Sequence, residues 1–119
     1  MYVQGFVIPV KEENKDAYRQ VAEDFWPIAR DYGALAQVEC WEDDVKHGQH
    51  TDFRRAVALE PGEKVVFSWV LWPDRATADA SHDRMMQDER MQAFGPDMPF
   101  DGKRMIIGGF NPIFWQEAK

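Results

Sequence analysis

The chain has 119 residues, 45% of them hydrophobic and 29% charged, which is enough for one domain with a real core and too few for two. A net charge of −7 repels phosphate backbones, and no run reaches the roughly 18–20 apolar residues of a membrane span. Nucleic acid and membrane are therefore not expected partners. The single cysteine, Cys40, excludes an internal disulfide, and the start carries no basic, apolar leader pattern, so a cytoplasmic protein is expected.

Tyr2–Pro9 alternates as a strand, with Tyr2, Gln4, Phe6 and Ile8 on one face and Val3, Gly5 and Val7 on the other. A helix then opens near Lys11–Lys15. Its apolar stripe is Tyr18, Val21, Ala22, Phe25, Ile28, Ala29 and Tyr32, at three- and four-residue spacing. Pro27 predicts a kink or a restart inside it, and Gly33 fits the left-handed position just past its end. Ala34–Trp41 is a second strand, with Ala36, Val38 and Cys40 on one face and Gln37, Glu39 and Trp41 on the other. A polar excursion through His47 and His50 follows. Thr51–Leu59 fits a short helix as well as a strand.

Val65–Trp72, bounded by Pro61-Gly62 and Pro73, is β-branched and aromatic almost throughout, as in a strand covered on both faces. Asp74 is a good N-cap for a helix running to about Gln87, with Ala78, His82 and Met85 on its inner stripe. Asp88 opens a short extra turn. Phe94–Gly102 is a loop, and Lys103–Phe110 is the last strand.

The order βαββαβ predicts an α+β, ferredoxin-like single domain over residues 1–119: a four-stranded antiparallel sheet with two main helices on one face. The first and third strands are central in that arrangement, in keeping with Val65–Trp72. Two helices cover one face only. With Phe67, Trp69, Leu71 and Cys40 placed under the helices, the other face carries Tyr2, Gln4, Phe6, Ile8, Glu39, Trp41, Val66, Val70, Trp72, Ile106 and Phe110. So apolar a face predicts a homodimer joined sheet to sheet.

Leu35–Val45, Thr51-Asp-Phe-Arg, Val65-Val-Phe-Ser-Trp, Asp88-Glu-Arg-Met and Met98–Phe110 resemble the YbaA-like family of bacterial domains of unknown function, within the dimeric α/β-barrel superfamily. Asp97 looks like a one-residue insertion that lengthens its loop. The resemblance spans almost the whole chain. It implies the fold and the dimer, and it implies no reaction.

Candidate chemistry centres on Glu39 and Arg104, both assigned to the barrel-facing side. One reading makes Glu39 a general base and Arg104 an anion-binding partner. The commoner role of such residues is a structural ion pair. Gln4, Trp41, Ser68, Trp72 and Phe110 are the expected ligand-binding set. His47 and His50 are weak metal candidates in a loop without a second ligand cluster, and no cofactor motif is present. The functional expectation is a small-molecule binder using the cavity beside the sheet. The alternatives are a cofactor-independent, monooxygenase- or isomerase-like enzyme on a small aromatic or carbonyl compound, and a purely structural dimer.

Overall fold

A computed structural model describes residues 1–118. Its elements are β1 (Tyr2–Lys11), a 3-10 turn (Glu12–Asn14), α1 (Lys15–Asp31), β2 (Ala36–Trp41), α2 (Phe53–Ala56), β3 (Glu63–Trp72), α3 (Arg75–Met86), α4 (Glu89–Gln92) and β4 (Ile106–Phe110). The strands pair antiparallel in the order β2-β3-β1-β4, so the two longest occupy the centre. This is the ferredoxin-like α+β arrangement expected from the sequence. No helix among the described residues is long and apolar enough to cross a membrane.

α1 continues through Pro27 without interruption. The carbonyl that proline leaves without a donor is that of Glu23, an exposed residue, so water can take the lost partner's place. Thr51–Leu59 resolves as a single helical turn, because Asp52 caps it by accepting a hydrogen bond from the Arg55 amide at 2.7 Å. In α3 the inner stripe is Ala78, Ser81 and Met85, and His82 is exposed. Ser81 fits against the sheet because it is small and its hydroxyl bonds to the Ala78 carbonyl at 2.7 Å.

Gly33 turns the chain from α1 into β2 at φ +110°, and a Cβ there would lie 2.7 Å from the Thr77 methyl of α3. Gly33→Ala is therefore expected to cost about 1–2 kcal/mol, read as a fall of several degrees in thermal melting.

The sheet is turned over relative to the sequence expectation. Gln4, Phe6, Ile8, Gln37, Glu39, Trp41, Val66, Ser68, Val70 and Trp72 lie beneath the helices, where Val70 and Trp72 pack with Ile28, Ala29, Ala78 and Met85. Trp72 is 1% exposed, and its indole N–H donates to Gln4 Oε1 at 2.8 Å. The face that the main helices leave uncovered carries Val3, Val7, Val38, Phe67, Trp69 and Leu71; Trp115 and Pro112 border it, Phe53 packs on Phe67, and Leu71 is only 7% exposed. Ile106 and Phe110 join this face, because the register sets them beside Val7 and Val3. Both faces are apolar, so alternation separates two sets of residues without saying which set the helices cover.

Candidate functional site

Glu39 on β2 stands opposite Ser68 on β3 and beneath Tyr18 of α1. The α1 stripe that buries Tyr18 aims its hydroxyl at the carboxylate, and the hydroxyl donates a hydrogen bond to Glu39 Oε1. Ser68 Oγ donates to Glu39 Oε2 at 2.5 Å, and Gln37 Nε2 donates to the same oxygen at 3.3 Å. Burial first, and the Glu39 carboxylate second, push the Tyr18 hydroxyl far above its ordinary pKa. Tyr18 is thus a fixed proton donor and not a phenolate. Gln37 Oε1 is buried and has no partner among the described residues.

Two spaces meet at this carboxylate. The inner one is a cavity of about 240 Å³ between α1 and the sheet, walled by Phe6, Val21, Phe25 and Val70. Its roof is Met91 of α4 together with Phe94, Met98, Phe100 and Met105 from the segment before β4. The Tyr18 and Phe100 rings meet edge to face at 5.9 Å, which ties that roof to α1. The outer space is a cleft of about 770 Å³ between α1 and β2, with Lys15, Arg19, Trp26 and Trp41 at its walls. Tyr18, Ala22, Gln37 and Glu39 border both. Lys15 Nζ lies 5.3 Å from the centre of the Trp41 ring.

Of the residues expected to form a site, Glu39, Ser68 and Trp41 come together. Arg104 does not join them. Its guanidinium binds Glu63 at 2.7 and 2.6 Å, Asp101 at 2.8 Å and the Ala58 carbonyl at 3.0 Å. Glu63 begins β3, roughly 16 Å of strand from Ser68. The expected Glu39–Arg104 pair is replaced by Glu39–Tyr18 and Arg104–Glu63. The reason is that residues 101–104 form a turn, with the Lys103 amide on Asp101 at 2.9 Å, and β4 starts only at Ile106.

Gln4 and Trp72 satisfy each other beneath the helices and line neither space. Phe110 lies on the opposite side of the sheet, against Gly5 and Gly108. His47 and His50 are exposed. Asp52 beside them is engaged by the Gly48 and Arg55 amides, and no metal-sized cluster of His, Cys, Asp or Glu exists among the described residues. The sequence reading missed two residues of the site. Gln37 shares the parity of Glu39, two residues away. Tyr18 belongs to the α1 stripe by its spacing, and nothing local in the sequence links its hydroxyl to a carboxylate 21 residues away.

Comparison with known proteins places the chain. The model of a family described as "Protein of unknown function (DUF1428)" matches residues 1–102. This chain belongs to the DUF1428 family. Among its relatives are the uncharacterized protein YbaA of Escherichia coli K12 and the YbaA of Shigella flexneri. Each is 53% identical over 112 residues, covering 94% of this chain and 96% of the relative. An uncharacterized NIPSNAP domain protein from Burkholderia xenovorans has a similar structure, with a TM-score of 0.58 at 17% identity over 99% of this chain and 100% of its own. That likeness concerns the fold alone. DUF1428 carries no assigned reaction, so what this chain does has to be argued from its own cavity.

Proposed function

We propose that this DUF1428 protein binds a small molecule in the cavity between α1 and the sheet, and does so as a homodimer joined through the uncovered sheet face. One observation carries the binding reading. A carboxylate held by three side-chain donors lines a mainly apolar, aromatic-rich space and also borders the cleft between α1 and β2. Ligand sites have this character, with a mainly apolar lining and a few converging polar groups. Ala22 borders both spaces, so Ala22→Trp puts an indole into the volume a ligand would occupy. In a thermal-shift screen of small aromatic amines, alcohols and acids, some compounds should raise the melting temperature of the wild type and leave Ala22→Trp unmoved. If no compound shifts the wild type, or the variant responds equally, the cavity is not a binding site.

The catalytic alternative, with Glu39 as base on an aromatic or carbonyl compound, needs a group to hold developing negative charge. Arg104 is committed to Glu63 and Asp101, and the donors nearest Glu39 already serve the carboxylate. Binding is therefore the better-supported reading. The dimer is supported by the uncovered face, where Phe67 is 47% and Phe110 60% exposed and the charged residues of that parity on the two central strands, Lys11 and Glu63, stand at the strand ends.

A further inference from the structure

We infer that the ligand of this cavity is an organic cation, a protonated amine on a compact apolar or aromatic body; this rests on the binding reading above. Apart from the second Gln37 N–H, the polar capacity left on these side chains is acceptor. Glu39 receives hydrogen bonds from Tyr18, Ser68 and Gln37, which occupy three of the roughly four positions a carboxylate offers. The same bonds engage the Tyr18 and Ser68 hydroxyls and one Gln37 N–H. Gln37 Oε1 has no partner among the described residues. A ligand meeting these atoms must bring donors.

Charge points the same way. Glu39 is half-buried, only neutral side chains bond to it, and no ion pair involving it forms among the described residues, so its charge is free to meet a cationic ligand. No Lys, Arg or His lines the inner cavity. An ammonium group placed there would supply both the missing charge and N–H donors for Glu39 and Gln37.

The walls suit such a group. The rings of Phe6, Phe25, Phe94 and Phe100 and the sulfurs of three methionines present polarizable, electron-rich surface, to which cations are drawn. The outer cleft already seats one ammonium in this manner, Lys15 over Trp41. A net charge of −7 favours the approach of cations and opposes anions. An anionic ligand would face the Glu39 charge with no basic side chain in the inner lining, and a neutral alcohol would offer one donor and leave the charge unmatched. The inner volume of about 240 Å³ limits the body to a single ring or a short branched chain.

Calorimetric titration of the intact protein at pH 7 with 2-phenylethylammonium, 2-phenylethanol and 3-phenylpropionate separates the possibilities, since the probes share a ring and differ in charge. The ammonium probe should bind about tenfold or more tighter than the alcohol, and the carboxylate should give no heat. Glu39→Gln should abolish that preference. If the alcohol or the carboxylate binds as well as the ammonium in the wild type, the cation assignment is wrong while the cavity remains a binding site. If none of the three binds and the wider screen is also silent, the binding reading and this inference fall together. The wild-type comparison decides the matter even if the Glu39 variant does not fold.

Discussion

Arg104→Met is expected to lower stability at neutral pH by about 3 kcal/mol, or roughly 10 °C in melting temperature. The guanidinium is one-fifth exposed, but the Glu63 carboxylate it binds is only 5% exposed at the side chain, so removing the arginine strands a buried negative charge. It also unfastens the 101–104 turn from the start of β3 and from the Ala58 carbonyl, and that turn leads into the Met105 edge of the cavity roof. The pH dependence follows from the same contact. Hydrogen bonding to Arg104 holds the Glu63 carboxyl below its ordinary 4.5, so its stabilising contribution is complete above pH 4.5 and is lost as pH falls through the lower folded-state value. Without the arginine, burial is the largest remaining influence on Glu63 and raises its pKa, so the variant gains from protonation where the wild type loses. The stability gap, measured by urea denaturation, should be widest near pH 7 and narrow steadily below pH 4.5. A gap that does not change between pH 7 and 3.5 would show that the cost comes from lost packing and not from the stranded charge.

The fold was legible because its signals are local. The β-branched, aromatic run of β3 between Pro61-Gly62 and Pro73 marks a central strand, the caps Asp74 and Asp88 mark helix starts, and Gly33 marks a stop. Each depends on residues close in sequence. The orientation of the sheet was not legible, because Phe6, Ile8, Val66, Val70 and Trp72 on one face match Val3, Val7, Phe67, Trp69 and Leu71 on the other in apolar character. The face carrying Gln4, Glu39 and Ser68, expected from the sequence to lie away from the helices, is the more polar of the two. In the fold it is the covered one, because its polar atoms find partners there in Trp72 and Tyr18.

The site was half legible for the same reason. Glu39 and Ser68 are neighbours by strand register, which alternation can predict once the strands are paired. Tyr18 reaches Glu39 across 21 residues and Arg104 reaches Glu63 across 41, and neither separation leaves a periodic trace. Arg104 was assigned to the sheet because the last strand was extended to Lys103. Asp101 instead turns the chain there, and a shift of three residues in the strand start moved the arginine to another site.

The proposed homodimer predicts that Phe67→Asp is a monomer in light scattering at micromolar concentration, with the subunit still folded, where the wild type has twice that mass. Phe67 projects from the middle of a central strand on the uncovered face, 47% exposed within the subunit and touching the Phe53 ring edge to face at 6.2 Å. In a two-fold interface the substitution acts twice. Desolvating a carboxylate at about 2 kcal/mol or more per copy weakens association by roughly a thousandfold. Val70→Asp, three residues along the same strand, is the contrasting case. Val70 is 4% exposed beneath the helices, packed with Ile28 and Trp72, so a carboxylate there should prevent folding. The pair of variants tests the orientation of the sheet together with the assembly. If Phe67→Asp unfolds the chain and Val70→Asp is tolerated, the helices cover the other face. A monomeric wild type would overturn the proposed assembly.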